Sequence, residues 1–154
     1  MTARSAQTPE LLRLTRRREH PRCIACAPEL SHGLRLLFHP APDGGVAATF
    51  DCPASAQGYD GILHGGVIAL LLDSAMTHCL FAHAIPALTA ELTVRYRESV
   101  AIGQPARVSA RLLRRAGKAF RLEAELRQAD RVRATAQATF IAAPAMQKGT
   151  APRC

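Results

Sequence analysis

Tryptophan is absent from this sequence, tyrosine occurs twice, and acids are outnumbered by bases, 12 to 20. Proteins that hold single-stranded nucleic acid stack its bases on aromatic side chains, so the first two shortages remove that platform and leave only charge in favour of such a partner. The third gives a net charge of +8 and a pI near 10.1, which fits an anionic surface, a nucleic acid or a polyanionic small molecule. No uncharged apolar run reaches the roughly 18 residues of a membrane span; Ile62 to Leu72 comes nearest and stops at an acid, Asp73. The basic stretch before Cys23 contains no apolar segment of signal-peptide length, so a cytoplasmic protein with no membrane partner is expected. Cysteines at 23, 26, 52, 79 and 154 are odd in number and lack framework spacing, which argues against a disulfide scaffold. Gly-x-Ser-x-Gly, P-loop and dinucleotide fingerprints are missing too, so an elbow-type serine hydrolase is disfavoured and no cofactor is expected.

What is present fits one domain: 154 residues, 48% of them apolar, suffice for a single sizeable core. Thr8-Pro9-Glu10 offers a cap, a first-turn proline and a first-turn acid, predicting a short helix from Pro9 to about Arg18. The basic arm 1–22 reads as a solvated end. Cys23-Ile24-Ala25-Cys26 has half the spacing of a zinc site, but no second Cys pair or His pair completes it, and His20 and His32 make only an improvised set. No metal is expected, and the thiols read as structural or incidental.

From Gly33 the pattern has period two, with Leu34, Leu36 and Phe38 on one side, a turn at Pro42–Gly45, then Val46, Ala48 and Phe50. This predicts a hairpin. After an irregular link comes Gly61-Ile62-Leu63-His64-Gly65-Gly66, opening a helix from about His64 to Ala84 that is apolar on nearly all sides and ends before Pro86. A glycine pair at a buried helix start leaves bare backbone N–H groups, aided by the helix dipole, where negative charge can develop. Four alternating runs follow: Ala90 to Tyr96, Val108 to Leu112, Phe120 to Leu126 and Val132 to Phe140. Turns at Gly103-Gln104, Ala116–Lys118 and Ala129-Asp130 predict an antiparallel meander with one dry face. The architecture is α+β: a curved antiparallel sheet of five to six strands round one central helix, the hot-dog arrangement. Domain limits of 23–143, with a basic arm before and a loose tail at 144–154, are expected.

Gly58 to Asp73, with His64-Gly65-Gly66 and an acid nine residues after the histidine, resembles the signature of PaaI-type acyl-CoA thioesterases. Thr89 to Arg97 resembles the next strand of that family, and Cys26 to Phe38 resembles the lead-in of many members; the likeness covers about 23–142. It implies a backbone N–H of Gly65 or Gly66 polarising a thioester carbonyl, and Asp73 acting as nucleophile or as base toward water. It further implies Thr77, one turn on from Asp73, holding the attacking water, and His64 shaping the corner. Members often carry a Gln or Asn six residues before the histidine as a second carbonyl donor; here that position is Gly58, and Gln57 is the neighbouring candidate. Ser74 stands where members frequently have an acid, a change expected on the helix surface. An acid inside an apolar run costs several kcal/mol unless paired or functional, so Asp73 points to chemistry on its own account.

Geometry asks for two chains. Along a helix, Asp73 lies roughly 10–13 Å from Gly65 and Gly66, too far for both to reach one carbonyl, whereas an antiparallel partner helix brings its own acid opposite those glycines. A homodimer is expected, with homotetramer packing open. Arg95, Arg97, Arg114, Arg115 and Lys118, with Arg121, are candidates for the phosphates of coenzyme A, against the alternative of charged strand faces kept for solubility. Two rival functions stay in view: a hot-dog protein that binds acyl-CoA without turnover, and a nucleic-acid binder resting on charge alone.

Overall fold

In a computed structural model, residues 8–144 are described. The chain forms α1 (Pro9–Glu19), β1 (His39–Pro40), β2 (Val46–Phe50), α2 (Gly65–Phe81), β3 (Ala87–Tyr96), β4 (Ala106–Ala116), β5 (Ala119–Gln128) and β6 (Arg131–Ala142). The six strands make one antiparallel sheet in the order β1-β2-β4-β5-β6-β3, and α2 lies across one face. This is the hot-dog arrangement expected above. No helix among the described residues is long and apolar enough to cross a membrane.

The core follows from the composition of α2. Leu71, Leu72, Ala75, Met76, Cys79, Leu80 and Phe81 are all fully enclosed, by inward side chains that include Val108, Phe120, Leu122, Leu126 and Phe140. Burying each large side chain of that set stabilises the fold by about 1.5–3 kcal/mol, offset by the entropy of ordering it. On β6 the inward positions before Phe140 are Ala134, Ala136 and Ala138, small enough to accept a bulky helix face. Thr8 caps α1 by accepting from the Leu11 N–H at 3.1 Å, as its Thr-Pro-Glu start predicted. Leu12 and Thr15 are the residues that α1 buries.

Three details depart from the sequence reading. Leu34 to Phe38 keep their alternating burial but form no strand, because Arg35 turns to a positive φ of 54°, and the Leu34 and Leu36 N–H groups bond the carbonyls of Ile24 and Ala25, both at 2.8 Å. The Cys23–Cys26 turn takes the pairing that a β-hairpin would have used. Second, only β4, β5 and β6 form a meander, since β3 crosses to the far edge and pairs with β6. Third, the β3 register slips between Thr89 and Glu91 and leaves Ala90 exposed, Leu92 and Val94 pack against the core, and Tyr96 beyond them is exposed with its hydroxyl on Gly65 O. Its other edge has no partner strand among the described residues.

Two tight corners hold the sheet. Ala129 and Asp130 both have positive φ, 50° and 60°, the backbone of a two-residue hairpin that matches strand twist. Gly45, opening β2, lies so close to β4 that an added Cβ would sit 2.2 Å from the Ala110 carbonyl oxygen. Gly45→Ala is therefore expected to cost about 1–3 kcal/mol through forced displacement of β2 from β4. Urea unfolding of the two proteins checks this, and an unchanged midpoint would contradict it.

Candidate active site

The corner before α2 is built by its own backbone. Leu63 N–H bonds Val100 O at 2.9 Å, His64 N–H bonds Ala56 O at 3.0 Å, and Gly58 N–H bonds Ile62 O at 2.9 Å. His64 is extended, with φ −61° and ψ 133°, and caps the helix: its Nδ1 accepts from Gly66 N–H at 2.9 Å. That bond separates the two glycines. Gly66 has spent its N–H on the cap, whereas the Gly65 N–H has no acceptor among the described residues. The Gly65 carbonyl accepts from the Tyr96 hydroxyl at 2.8 Å, which ties the helix start to the end of β3. A free N–H at the positive end of a 17-residue helix, beside a cleft lined by Gly58, Tyr59, Leu63, His64 and Gly65, suits a partly negative oxygen.

Asp73 lies eight residues further along α2, about 12 Å from Gly65. Its side chain is half-buried, and burial raises its pKa above the usual carboxylate range, opposed by a hydrogen bond from Thr89 and by the charge of His20. The Thr89 hydroxyl donates to Asp73 Oδ1 at 2.7 Å. Thr89 was not among the residues singled out from sequence, and the only signal for it was a hydroxyl in the strand that resembles the family. Thr77, which was singled out, is buried, and its hydroxyl donates to the Asp73 backbone carbonyl at 3.1 Å. That is the ordinary bond of a helical threonine to the turn before it.

Gln57 is exposed and uses its carboxamide oxygen to accept from Gly61 N–H at 3.2 Å, holding the loop closed. At Gly58 an added Cβ would stand 3.1 Å from His64 Cδ2, so the His64 ring occupies the space that a side chain there would need. Ser74 proves buried rather than on the helix surface, and its carbonyl accepts from His78 Nδ1 at 2.7 Å. An acid in that position would need a partner that Ser74 does not.

The basic candidates fall into two groups within one chain. Arg95 and Arg97 line a groove of about 660 Å³ on the outer sheet face with Thr93, Arg111, Glu123 and Glu125. Arg111 is already paired with Glu123. Arg114, Arg115 and Lys118 sit at the β4–β5 tip, where Arg115 covers the Phe120 ring at 5.2 Å. Strand register puts Leu88 and Ala119 both opposite Ile141, so Arg95 is seven residues, about 23 Å, from the level of that tip. The first group shares the Tyr96 and Gly65 end of the molecule, and the second shares the Thr89 and Asp73 end.

Residues 60–135 match the model of the Thioesterase superfamily. No curated protein matches the chain. Among solved structures, a thioesterase superfamily protein aligns with a TM-score of 0.73 at 26% identity, covering 77% of this chain; the chain spans 62% of that protein. A phenylacetic acid degradation-related protein from Ralstonia eutropha aligns at 0.66 and 22% identity, over 76% of this chain and 92% of the other. A Streptococcus mutans protein solved with acetyl CoA aligns at 0.68 and 17% identity, over 78% and 98%.

Removing the Thr89 hydroxyl without changing its shape removes a bond that favours the Asp73 anion. In Thr89→Val the Asp73 carboxyl is expected to titrate at higher pH than in the wild type. Carbon NMR of the labelled carboxyl would show it, and coincident titration curves would refute the electrostatic role given to Thr89.

Proposed function

We propose, for a hot-dog protein whose residues 60–135 carry the thioesterase superfamily pattern, that it hydrolyses an acyl-CoA thioester at a site shared by two copies of the chain. The observation that carries this reading is the division of labour at the helix start: His64 takes the Gly66 N–H and leaves the Gly65 N–H for an oxyanion. Preorganised donors of this kind lower acyl-transfer barriers by about 3–4 kcal/mol.

In the proposed reaction the thioester carbonyl oxygen rests against Gly65 N–H of one chain. Asp73 of the second chain, oriented by Thr89, accepts a proton from water as that water attacks the carbonyl carbon. The tetrahedral oxyanion is held by the Gly65 N–H until the carbon–sulfur bond breaks and the proton on Asp73 passes to the leaving sulfur, releasing the carboxylic acid and coenzyme A and restoring the carboxylate. A carboxylate raised by burial is better suited to this proton transfer near neutral pH than an exposed one. The open edge of β3, with Leu88 and Tyr96 exposed, supports pairing between two chains, since a ten-residue unpaired edge otherwise invites aggregation. A two-fold arrangement that sets Gly65 of one chain against Asp73 of the other also brings the two basic groups together. Arg95 and Arg97 would arrive with the glycine, and the Arg114–Lys118 tip with the acid, around the phosphates of one coenzyme A.

One observation favours the second reading, acyl-CoA binding without turnover: Gly58 has no side chain, so a second carbonyl donor would rest on the exposed Gln57 amide alone. Thiol release from aryl, short-chain and long-chain acyl-CoAs decides between them. Asp73→Asn is expected to lose at least about 100-fold in kcat while still binding substrate. Wild-type binding without turnover on every substrate would establish the second reading.

The shared site has its own test. Proline suits a first helical position, and His64 is already extended as a residue before proline must be, so Gly65→Pro deletes the donor while sparing the helix. Each single variant should be nearly inactive. Mixed and re-equilibrated, half of the dimers are hybrids with one intact site in two, so about a quarter of wild-type activity should return. No recovery from a mixture shown to contain hybrids would place Gly65 and Asp73 in the same chain's site.

A further inference from the structure

The Cys-x-x-Cys turn that the sequence leaves as incidental thiols is joined in the fold by a third donor. His20, at the end of α1, comes back over the turn, so that its ring nitrogen and the Cys23 and Cys26 sulfurs all lie within 4.8 Å of one another. The Cys26 Sγ to His20 Nδ1 distance is 3.8 Å. A sulfur and a nitrogen bound tetrahedrally to one zinc ion are about 3.6 Å apart, as bond lengths of about 2.3 and 2.0–2.1 Å require. The Cys26–His20 pair already stands near that separation.

The surroundings favour a bound metal over a chance meeting. Ala27 N–H bonds Cys23 O at 2.9 Å and closes the turn, while Ala25 N–H points at Cys23 Sγ at 3.4 Å, the kind of support that an anionic sulfur ligand receives from its own loop. The carbonyls of Ile24 and Ala25 are fixed by Leu34 and Leu36, and Arg16 of α1 reaches the Cys26 carbonyl at 3.3 Å. The His20 ring stands edge-on to Phe81 at 4.9 Å, which sets its orientation. A second and independent sign lies next to it. His78, 6.4 Å away between ring centroids and 98% enclosed, donates through Nδ1 to Ser74 O, and its Nε2 is a buried side-chain nitrogen with no partner among the described residues. Such an orphan normally costs about 1–3 kcal/mol.

We propose that His20, Cys23 and Cys26 bind a zinc ion, whose fourth position holds a water that gives His78 Nε2 the donor it lacks. Two thiolates and an imidazole are soft to borderline ligands that select zinc over magnesium or calcium. The ion would fasten α1 and the Cys23–Cys26 turn onto α2. The site does not depend on what reaction the cleft performs, and its test reads metal rather than turnover.

The full chain, reduced and freed of metal by chelation, is titrated with Co2+. Expected are a thiolate-to-cobalt absorption and the strong visible bands of a tetrahedral ion, saturating near about one equivalent and abolished by added zinc. Cys23 is only partly buried, so Cys23→Ser should fold and lose the thiolate absorption, and His20→Gln should weaken binding at least about ten-fold. Cys52→Ser and Cys79→Ser should leave the spectrum unchanged, because those thiols lie elsewhere in the core. Pale octahedral cobalt in the wild type would overturn the proposal. So would an unaltered spectrum in Cys23→Ser, or a Cys23–Cys26 disulfide that forms in air while zinc is in excess, which would make the pair a redox couple instead.

Discussion

A helix that is apolar on all sides is stable only when enclosed, and the rest of this chain is arranged to enclose α2. Leu71, Leu72, Ala75, Met76, Cys79, Leu80 and Phe81 exclude water, so the helix meets polar surroundings at its start and at its one acid. The sheet wraps the helix and leaves those places at its rim. Two groups of the candidate active site therefore lie along a single helix: a free N–H at its start and a carboxylate two turns on.

The capping of that helix does more than stabilise it. Four N–H groups open every α-helix without internal partners, and most proteins satisfy them with side chains or water. His64 satisfies one and leaves its neighbour exposed, which turns a structural necessity into a directed donor. The same economy appears at Thr89, where an exposed strand hydroxyl orients the carboxylate of a residue sixteen positions earlier. The site thus depends on side chains that mostly hold other groups still.

The N-terminal helix packs against α2 and β1, and His20 at its end reaches the rings of His78 and Phe81. Phe38 stacks on His78 at 4.4 Å, and His20 stands edge-on to both His78 and Phe81. Four aromatic or imidazole rings and two thiols there form a polarisable layer between the first helix and the second. On the opposite, outer side of the sheet, pairs such as Arg127 with Glu125 and Arg133 with Glu98 neutralise part of the positive charge at small net gain, about 0–1 kcal/mol each. Arg95, Arg97, Arg114 and Lys118 form no ion pair among the described residues.

Sequence alone determined the elements whose signals are local. The apolar run behind Gly65-Gly66, the Thr-Pro-Glu start of α1 and the alternation in β4, β5 and β6 each follow from a periodicity or a cap read within a dozen residues, and Asp73 was visible because an acid is costly in such a run. The tertiary structure decided what depends on distant parts of the chain. Which strand pairs with which is a long-range choice, so β3 could move to the far edge without any change in its own pattern. The hairpin expected at 33–50 keeps only His39–Pro40 of its first arm, because the carbonyls at 24 and 25 bond the N–H groups of Leu34 and Leu36. The hydrogen-bond partners that separate Gly65 from Gly66 and Thr89 from Thr77, and the meeting of His20 with Cys23 and Cys26, are matters of ångströms between side chains. A linear pattern fixes which face a residue lies on, but only packing fixes what stands opposite it.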